Sequence, residues 1–366
     1  MMKITYAING SGLGHATRGL PLIQALTERQ HNVSVYTKGL AKNFLQQQLD
    51  NTNILELPRD TQSYTNTLRG YCKTTLSNQL PLYRSQQQAL TTILLKDRPD
   101  LLISDDEHSL SRIAHKYHIP HVTLSFHCHG YELPANLLTS DRIQSYLLNT
   151  MMQLNLYPGQ LCIQSTPFNR KSPTNKSIQV PPILPRYLTQ TSWNPQGTHI
   201  IIYFNQTLPI NHHDITQYAK QRGLYLSFYG NTGQTLQSSN NQHATPHHEF
   251  IQDLLTADAL ICTPGSQLAC EAYAIGLPTV LISPPRQRTQ QLIARLFSQQ
   301  CCNIEHITAR QFSQHCLAEA LNNITEVPEH SDASGLEQTM TLIEQLMDRH
   351  HSHSASPSQT STIIDA

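Results

Sequence analysis

A glycine-rich turn followed by a histidine lies close to the start of the chain. The strand-like run KITYAIN leads into Gly12, Gly14 and His15, and an amphipathic helix is predicted to begin near Thr17. Glycines let the backbone turn tightly, and the free N–H groups of a helix N-terminus favour an anion or a polar substrate. Imidazole titrates near neutral pH, so His15 could take a proton from a substrate hydroxyl as a general base.

Two other interpretations of this turn stay open. A dinucleotide-binding turn would read GxGxxG, but the third residue after Gly12 is His15. The next strand also does not end in the acidic residue that would bind a ribose. The turn could instead be purely structural, with His15 as a packed side chain. The sequence favours the catalytic interpretation over both.

Two adjacent carboxylates follow the apolar run LLIS. Asp105 and Asp106 are predicted to lie at the carboxyl end of a parallel strand, which is the edge where ligands bind in open α/β sheets. Either of them could orient His15 or bind a substrate. A metal site of the DxD type is one alternative, although the sequence DDE fits it poorly, and capping of the next helix is another.

The most specific stretch of the sequence runs from Ala257 to Leu296. Its first strand leads into Gly265 and Ser266, where a predicted helix begins whose free N–H groups can hold a diphosphate. Glu271 lies on that helix, and its carboxylate can accept hydrogen bonds from both hydroxyls of a ribose. The stretch is therefore predicted to bind the diphosphate and the ribose of a nucleotide.

A polar loop with the sequence RQRTQQ follows the next strand of this stretch. Its side-chain amides, which include Gln290 and Gln291, can contact the hydroxyls of a sugar. Arg286 and Arg288 can neutralise a diphosphate in place of a metal ion. The alternative is a loop that only faces solvent.

Short apolar runs alternate with helix-length polar stretches in both halves of the chain. The runs of the first half include KITYAIN, VSVYTKG and LLISDD, and those of the second half include THIIIYFNQ, LYLSFYG and PTVLISPP. This alternation predicts parallel strands joined by helices. We expect an α/β fold with two Rossmann-like parallel-sheet domains that face a cleft.

Changes in composition along the chain indicate where the domains divide. Residues 169–197 are rich in Pro, Ser, Thr and Asn and have no helical periodicity, which is typical of a linker. We predict a first domain over 1–168 and a second over 198–349, with a closing helix at 335–349. Residues 350–366 have few bulky side chains and are expected to be a disordered tail.

The overall composition excludes some classes of protein. Lys and Arg together number 25, as do Asp and Glu, so the chain lacks the positive excess that is typical of nucleic-acid-binding proteins. No apolar stretch approaches the roughly 20 residues that span a bilayer, and the N-terminus has no signal-peptide pattern. The 8 cysteines have no regular spacing and are expected to be reduced. We expect a cytoplasmic protein that binds no nucleic acid.

The second-half stretch resembles the donor half of the GT-B glycosyltransferases, particularly the MurG-like group that uses UDP-sugars. The matching positions are Gly265, Ser266, Glu271, Gly276, Pro278 and Gln291. The first-half sequence NGSGLGHATR is similar to the glycine-rich turn of the same group, with Gly12, Gly14 and His15 aligned. The resemblance covers both predicted domains in the expected order and implies the GT-B fold.

The resemblance implies a function as well as a fold. It implies a glycosyltransferase that moves a hexose or an N-acetylhexosamine from a UDP-sugar to an acceptor hydroxyl, without a metal ion or a cofactor. It also implies that Phe250 and Ile251 lie against the base of the nucleotide. The family's acidic residue before Gln291 is replaced by Gln290, which leaves the identity of the sugar open.

Other functions and the nature of the acceptor stay open. A sugar-nucleotide 2-epimerase has the same two-domain shape, although the acids and bases that it needs are not evident in the second half. A catalytically silent subunit that binds a nucleotide sugar is the other alternative. For the family, a lipid-linked or membrane-associated acceptor at the inner membrane face is natural. Four apolar residues form either a surface patch for such an acceptor or the buried face of a helix, and these are Leu147, Leu148, Met151 and Met152.

Overall fold

The structure of the protein is a computed structural model. It describes residues 1–10, 12–57, 81–126, 142–143, 146, 159–168, 177–230, 247–324 and 334–354. Within these ranges, every helix is too short or too polar to span a lipid bilayer. The predicted patch at Leu147, Leu148, Met151 and Met152 lies outside the described residues, as does most of the predicted tail.

Strands and helices alternate along the chain. The strands are β1 (Lys3–Ile8), β2 (Asn32–Thr37), β3 (Asn53–Glu56), β4 (Leu101–Asp105), β5 (His121–Ser125), β6 (Leu161–Ser165), β7 (Ser177–Val180), β8 (His199–Phe204), β9 (Tyr225–Gly230), β10 (Ala259–Cys262), β11 (Thr279–Ser283) and β12 (Ile304–Thr308). The described helices are α1 (Gly14–Glu28), α2 (Gly39–Gln48), α3 (Pro81–Asp97), α4 (His108–Lys116), α5 (Arg186–Gln190), α6 (His212–Gln221), α7 (His247–Thr256), α8 (Ser266–Ile275), α9 (Arg288–Gln300), α10 (Gln314–Asn323) and α11 (Gly335–Ser354).

The described strands form two separate sheets. The first has the strand order β3-β2-β1-β4-β5-β6-β7, and the second has the order β12-β11-β10-β8-β9. Every neighbouring pair runs parallel. The predicted α/β class with two parallel sheets is confirmed.

Each sheet has one point at which the strand order changes direction. This point lies between β1 and β4 in the first sheet and between β8 and β10 in the second. The connections on either side of such a point leave in opposite directions, so a crevice opens beyond the carboxyl ends of the two strands. The turns that follow β1, β4, β8 and β10 are therefore where ligand contacts are expected.

The last helix, α11, packs on the first sheet. Its apolar stripe joins the core that contains Ile4 and Tyr6 of β1, and its buried members are Leu336, Met340, Ile343, Leu346 and Met347. The helix contacts α1, β6 and β7, and it extends to Ser354, beyond the predicted start of the tail. The closing helix thus lies on the first sheet, whereas the sequence assigned it to the second domain, because periodicity shows that a face is apolar without showing which core it meets.

The predicted linker over 169–197 contains a strand of the first sheet. β7 pairs with β6 from Ser177 opposite Cys162 to Val180 opposite Ser165. The end of the segment is attached to the second half, since Trp193 donates from its indole N–H to the carbonyl of Ala257 at 2.8 Å. β7 is an edge strand, and polar residues are tolerated at the edge of a sheet. The composition of β7 is therefore similar to that of a loop, and the sequence predicted a linker.

Three phenylalanine rings join the two halves of the molecule. Phe126 follows β5, Phe168 follows β6, and Phe297 lies on α9. The ring of Phe126 stacks on that of Phe297 with centroids 5.9 Å apart, and Phe168 meets Phe297 edge-on at 4.9 Å. All three rings are buried. This contact holds the carboxyl ends of β5 and β6 against the second half.

One cysteine departs from the expected reduced state. Cys162 on β6 is disulfide-bonded, and its partner lies outside the described residues. The free cysteines of the described part are Cys262, Cys270, Cys301, Cys302 and Cys316. The expectation of reduced cysteines is therefore wrong at Cys162.

Met340→Ala tests the docking of α11. Met340 is wholly buried in the first core, so the truncation should lower the free energy of unfolding by about 2–5 kcal/mol. The exposed neighbour Thr341 is the control, and Thr341→Ala should change stability by less than about 0.5 kcal/mol. Equal stability of both variants in urea denaturation would contradict the assignment of α11 to the first core.

Candidate active site

The turn after β1 fits closely against its neighbours. A Cβ on Gly10 would lie 2.5 Å from the carbonyl oxygen of Lys38, so only glycine fits there. α1 begins at Gly14, and its N-cap Leu13 makes no side-chain hydrogen bond to the helix. The first N–H groups of α1 therefore stay available to a ligand. A Cβ on Gly12 would meet nothing within 4 Å, so there is open space beside the turn.

His15, in the first turn of α1, contacts a carboxylate at the end of β4. Its Nδ1 lies 2.8 Å from Oδ1 of Asp105. The carboxylate is fully buried, whereas the imidazole is 25% exposed. A carboxylate can only accept a hydrogen bond, so Nδ1 carries a proton in this contact, and whenever the ring is neutral Nε2 has the lone pair. This is the tautomer that a general base requires.

Arg18 binds the same carboxylate from one turn further along α1. Its Nε donates to Oδ2 of Asp105 at 3.0 Å, and its Nη2 donates to Oδ1. Burial alone would raise the pKa of Asp105, but the charge of Arg18 and the hydrogen bonds from His15 and Arg18 lower it overall. Asp105 is therefore ionised at neutral pH and accepts hydrogen bonds from both side chains.

Asp106 lies beside these groups in a constrained conformation. Its backbone is left-handed, with a φ of 49°, and the amide of Asn9 donates to its carbonyl at 3.1 Å. Oδ2 of Asp106 is 3.8 Å from Nδ1 of His15 and 3.8 Å from Nη2 of Arg18. Oδ1 is buried and has no hydrogen-bond partner among the described residues. Asp106 thus adds a second negative charge next to His15.

The cap of the helix after β4 is Glu107. Its carboxylate accepts hydrogen bonds from the backbone N–H groups of Ser109 at 3.0 Å and Leu110 at 2.8 Å. The side chains of Asp105 and Asp106 make no such contact with α4. The alternative in which Asp105 or Asp106 caps the helix is therefore wrong, and the residue that does so was missed because a glutamate is an uncommon N-cap.

The same groups are spaced closely enough for a cation. Donor atoms of His15, Asp105 and Asp106 lie within 4.8 Å of one another, and in the described part of the chain this is the one such cluster. The guanidinium of Arg18 already binds both oxygens of Asp105, and it would repel a metal ion. The arrangement therefore suits proton transfer better than metal binding.

The second half brings another helix N-terminus to this position. α8 begins at Ser266, and its N-cap Gly265 makes no side-chain hydrogen bond. A Cβ on Gly14 would lie 3.3 Å from Cβ of Gln267, so the first turns of α1 and α8 are in contact. Each helix directs the positive end of its dipole there. The N-termini of α1 and α8 therefore lie together, where an anion is favoured.

Glu271 lies one turn further along α8 and is buried. The side-chain amide of Gln267 donates to its Oε1 at 3.0 Å and to the carbonyl of Ile183 at 3.1 Å. Burial raises the pKa of Glu271 to about 7, although the bond from Gln267 opposes this. Burial and then the nearby charge of Glu271 also raise the pKa values of Tyr187 and Tyr203. Glu271 can therefore change its charge near neutral pH.

Phe250 on α7 lies between two tyrosines of the second sheet. Its ring centroid is 5.7 Å from that of Tyr203 on β8 and 4.8 Å from that of Tyr229 on β9. The hydroxyl of Tyr229 donates to Asp253 at 2.6 Å, which holds α7 against β9. Phe250 and Ile251 are both partly buried against the second core. They form an aromatic and aliphatic surface near the carboxyl ends of β8 and β9.

The polar residues predicted to contact a sugar lie in the turn after β11 and in the first turn of α9, because α9 begins at Arg288, inside the predicted loop RQRTQQ. Arg286 has a left-handed φ of 66°, and both Arg286 and Arg288 are exposed. The amide of Gln291 donates to the carbonyl of Pro284 at 3.1 Å, so Gln291 holds the loop together. Oε1 of Gln290 is buried and has no hydrogen-bond partner in the part of the chain that the structure describes. Gln290 therefore has an acceptor atom available.

Comparison with known proteins decides the family. The sequence model of glycosyl transferase family 1 matches residues 2–325, which include both sheets. The chain belongs to glycosyl transferase family 1. It is therefore a transferase that moves sugars, as the resemblance implied. No curated protein matches the sequence of this glycosyltransferase significantly.

Solved structures confirm the fold of the glycosyltransferase. The kitacinnamycin glycotransferase is 14% identical with a TM-score of 0.65, and the alignment covers 95% of this chain and 100% of that one. The glycosyltransferase VinC, solved with dTDP, is 14% identical with a TM-score of 0.58 and a coverage of 95% and 100%. MurG of Acinetobacter baumannii is 13% identical with a TM-score of 0.55 and a coverage of 94% and 99%. The predicted GT-B architecture is confirmed.

Glu271→Gln tests the burial of this carboxylate through stability. The native pKa of about 7 exceeds the ordinary value of 4.5, so the native enzyme binds more protons than the unfolded chain between these values. Its stability should fall there as pH rises, by up to about 3 kcal/mol, and the neutral variant should lack this fall. Thermal unfolding from pH 4.5 to 8 measures the difference.

The matched control is Glu319→Gln on α10, because Glu319 is exposed. It should change stability equally at every pH in this range. A Glu271→Gln variant whose stability follows the wild-type pH dependence would show that Glu271 is solvated in the native enzyme.

Proposed function

We propose that this glycosyltransferase moves a hexose or an N-acetylhexosamine from a UDP-sugar to an acceptor hydroxyl, without a metal ion. The observation that carries the proposal is the contact between the first turns of α1 and α8. It brings the His15–Asp105 pair, which can accept a proton, next to a helix N-terminus that can hold a diphosphate.

The proposed reaction is a single displacement. The acceptor hydroxyl gives its proton to Nε2 of His15, and its oxygen forms a bond to the anomeric carbon of the sugar. The bond from that carbon to the diphosphate breaks, and the diphosphate leaves with the electron pair. Asp105 stabilises the imidazolium through Nδ1. Attack from the side opposite the leaving group inverts the anomeric configuration.

The leaving diphosphate is the group that needs electrostatic stabilisation. The uncapped N–H groups at Gly265 and Ser266 can donate to it, and the dipole of α8 favours its charge. Arg286 and Arg288 are exposed and can add positive charge from the turn after β11 and from the start of α9. Fixed N–H donors and guanidinium groups would then supply the stabilisation that a metal ion gives elsewhere.

The proposed nucleoside is uridine. A carboxylate that accepts hydrogen bonds from both hydroxyls of a ribose distinguishes UDP from dTDP, which lacks the 2′-hydroxyl. Glu271 has this role in the proposal, with Gln267 orienting its Oε1. Phe250 and Ile251 would pack against the base, beside Tyr203 and Tyr229.

The proposed sugar contacts come from the first turn of α9, which follows β11. Gln290 has a buried acceptor atom without a described partner, so it can accept a hydrogen bond from a sugar hydroxyl or an N-acetyl N–H. Gln291 already donates to Pro284 and would act mainly by holding Gln290 in position. A neutral amide at position 290 favours an uncharged sugar. The proposed acceptor is a lipid-linked or membrane-associated hydroxyl compound.

Binding calorimetry of nucleotides without metal tests the donor site. The wild type should bind UDP-glucose or UDP-N-acetylglucosamine more tightly than dTDP-glucose, GDP-mannose or NAD. Glu271→Gln should weaken UDP-sugar binding by about 1–3 kcal/mol, since a charged acceptor is lost. Wild-type affinity should also rise from pH 6 to 8 as the carboxylate, with its pKa of about 7, loses its proton. The variant should lack this rise.

The exposed Glu319→Gln variant should bind like the wild type at every pH. Equal binding of UDP-sugar and dTDP-sugar, with no effect of Glu271→Gln, would remove the ribose contact from the proposal. Preferred binding of NAD would overturn the proposed donor class.

His15→Ala tests the proposed base through turnover. Release of UDP in the presence of acceptor hydroxyl compounds should fall by about 10²–10⁴-fold, because the acceptor loses its general base. UDP-sugar affinity should stay within a few-fold of wild type. His315→Ala, at a histidine that is 82% exposed, is the control. Wild-type UDP-sugar binding without turnover on any acceptor would favour the catalytically silent subunit.

A further inference from the structure

A buried arginine lies beside the proposed base. The side chain of Arg18 is 2% exposed, and its Nη2 is 3.2 Å from Nδ1 of His15. Nδ1 donates its proton to Asp105, and Arg18 has only donors, so this close approach is not a hydrogen bond. It sets a full positive charge against the ring that must accept a proton. Such a neighbour helps a general base only where its charge offsets negative charge close to the same ring.

Two carboxylates supply the charge to be offset. Asp105 is 2.8 Å and Asp106 is 3.8 Å from Nδ1 of His15. Together they would hold the imidazole in its protonated form, in which it cannot act as a base. Arg18 is bound to Asp105 through two hydrogen bonds and lies 3.8 Å from Asp106. Its charge therefore acts against both carboxylates.

Other titratable groups lie on the elements around His15. Burial raises the pKa of Tyr6 on β1 and of Cys270 on α8, so both are neutral at pH 7. The side chain of Lys38 lies against Gly10 in the same turn. Glu271 is one turn beyond Gln267 on α8 and is buried there.

We propose that Arg18 is a positioning residue that keeps the His15 ring neutral until the acceptor delivers its proton to Nε2. In the neutral ring the single proton is on Nδ1, which donates it in a hydrogen bond to Asp105. This role of Arg18 rests on the proposed role of His15 as the base. With neutral His15, the cluster of Arg18, Asp105, Asp106 and His15 has one excess negative charge. Proton transfer to Nε2 brings the cluster to neutrality. The arginine thus matches the charge of the site to the step in which the imidazolium forms.

The protonation of His15 can be measured without substrate. The enzyme is labelled with ¹³C and ¹⁵N in histidine, and the His15 signals are assigned among the 20 histidines by their loss in His15→Gln. Ring chemical shifts followed against pH give the midpoint of protonation. The ¹⁵N shifts at high pH identify which ring nitrogen carries the proton.

Three variants give different expected shifts of this midpoint. Arg18→Gln removes the charge and should move the His15 midpoint to higher pH by at least about one pH unit. Asp106→Asn removes an opposing charge and should move it to lower pH. Arg18→Lys keeps the charge and should leave the midpoint within about half a unit of wild type, although the loss of the two-pronged contact should lower the melting temperature.

The control is Arg29→Gln at the other end of α1. Arg29 is partly exposed and pairs with Glu337 and Glu344 of α11, so its loss should leave the His15 midpoint unchanged. A purely structural Arg18 would lower the melting temperature in both Arg18 variants without moving the midpoint, and that result would overturn the proposal. If Arg18→Gln does not fold, a shift of one unit or more in Arg18→Lys, or a proton on Nε2 in the wild type, would overturn it.

The proposed role of Arg18 and the proposed function can be overturned by different results. If the His15 midpoint does not change when Arg18 is replaced, while UDP release still requires His15, only the proposed role of Arg18 is overturned. The expected midpoint shifts, in an enzyme that releases UDP equally well without His15, would instead remove the proposed base.

Discussion

The buried ion pair between Arg18 and Asp105 connects the parts of the site. It joins α1 to the carboxyl end of β4, which are the two sides of the crevice in the first sheet. A buried charge left without its partner typically costs about 3–5 kcal/mol, so the position of α1 against β4 is strongly constrained. The orientation of His15, which shares an oxygen of Asp105, follows from that constraint.

The second constraint is the docking of the two halves. Three buried phenylalanine rings hold β5 and β6 against α9, and Gln267 bonds to the carbonyl of Ile183 in the segment between the sheets. α11 returns to the first sheet after the second sheet is complete. The chain therefore crosses between the halves twice, which limits how far their crevices can separate.

The chemistry of the site follows from where charge is buried. Arg18, Asp105 and Asp106 place charges of both signs around one imidazole. In the second half, Glu271 is surrounded by Gln267 and two tyrosines, and its burial weakens its acidity. A site with opposed charges around His15 and uncapped N-termini at α1 and α8 suits a reaction that moves a proton in one place and negative charge in another.

The sequence by itself determined the alternation of strands and helices, and it placed Gly12, Gly14, Gly265 and Ser266 where a strand ends and the next helix begins. Short-range periodicity and glycine-rich turns report local structure directly. Phe250, Gln290 and Arg286 stay predictions about a ligand, because a sequence motif does not show what a side chain contacts.

Only the tertiary structure decided which distant residues meet. It showed that Asp105 binds His15, that Glu107 rather than either aspartate caps α4, and that Arg18 is part of the site. It also showed that α11 packs in the first core and that β7 belongs to the first sheet. These facts depend on pairings between residues that are far apart in sequence. Local propensity carries no information on such pairings, because they are selected by the packing of whole elements.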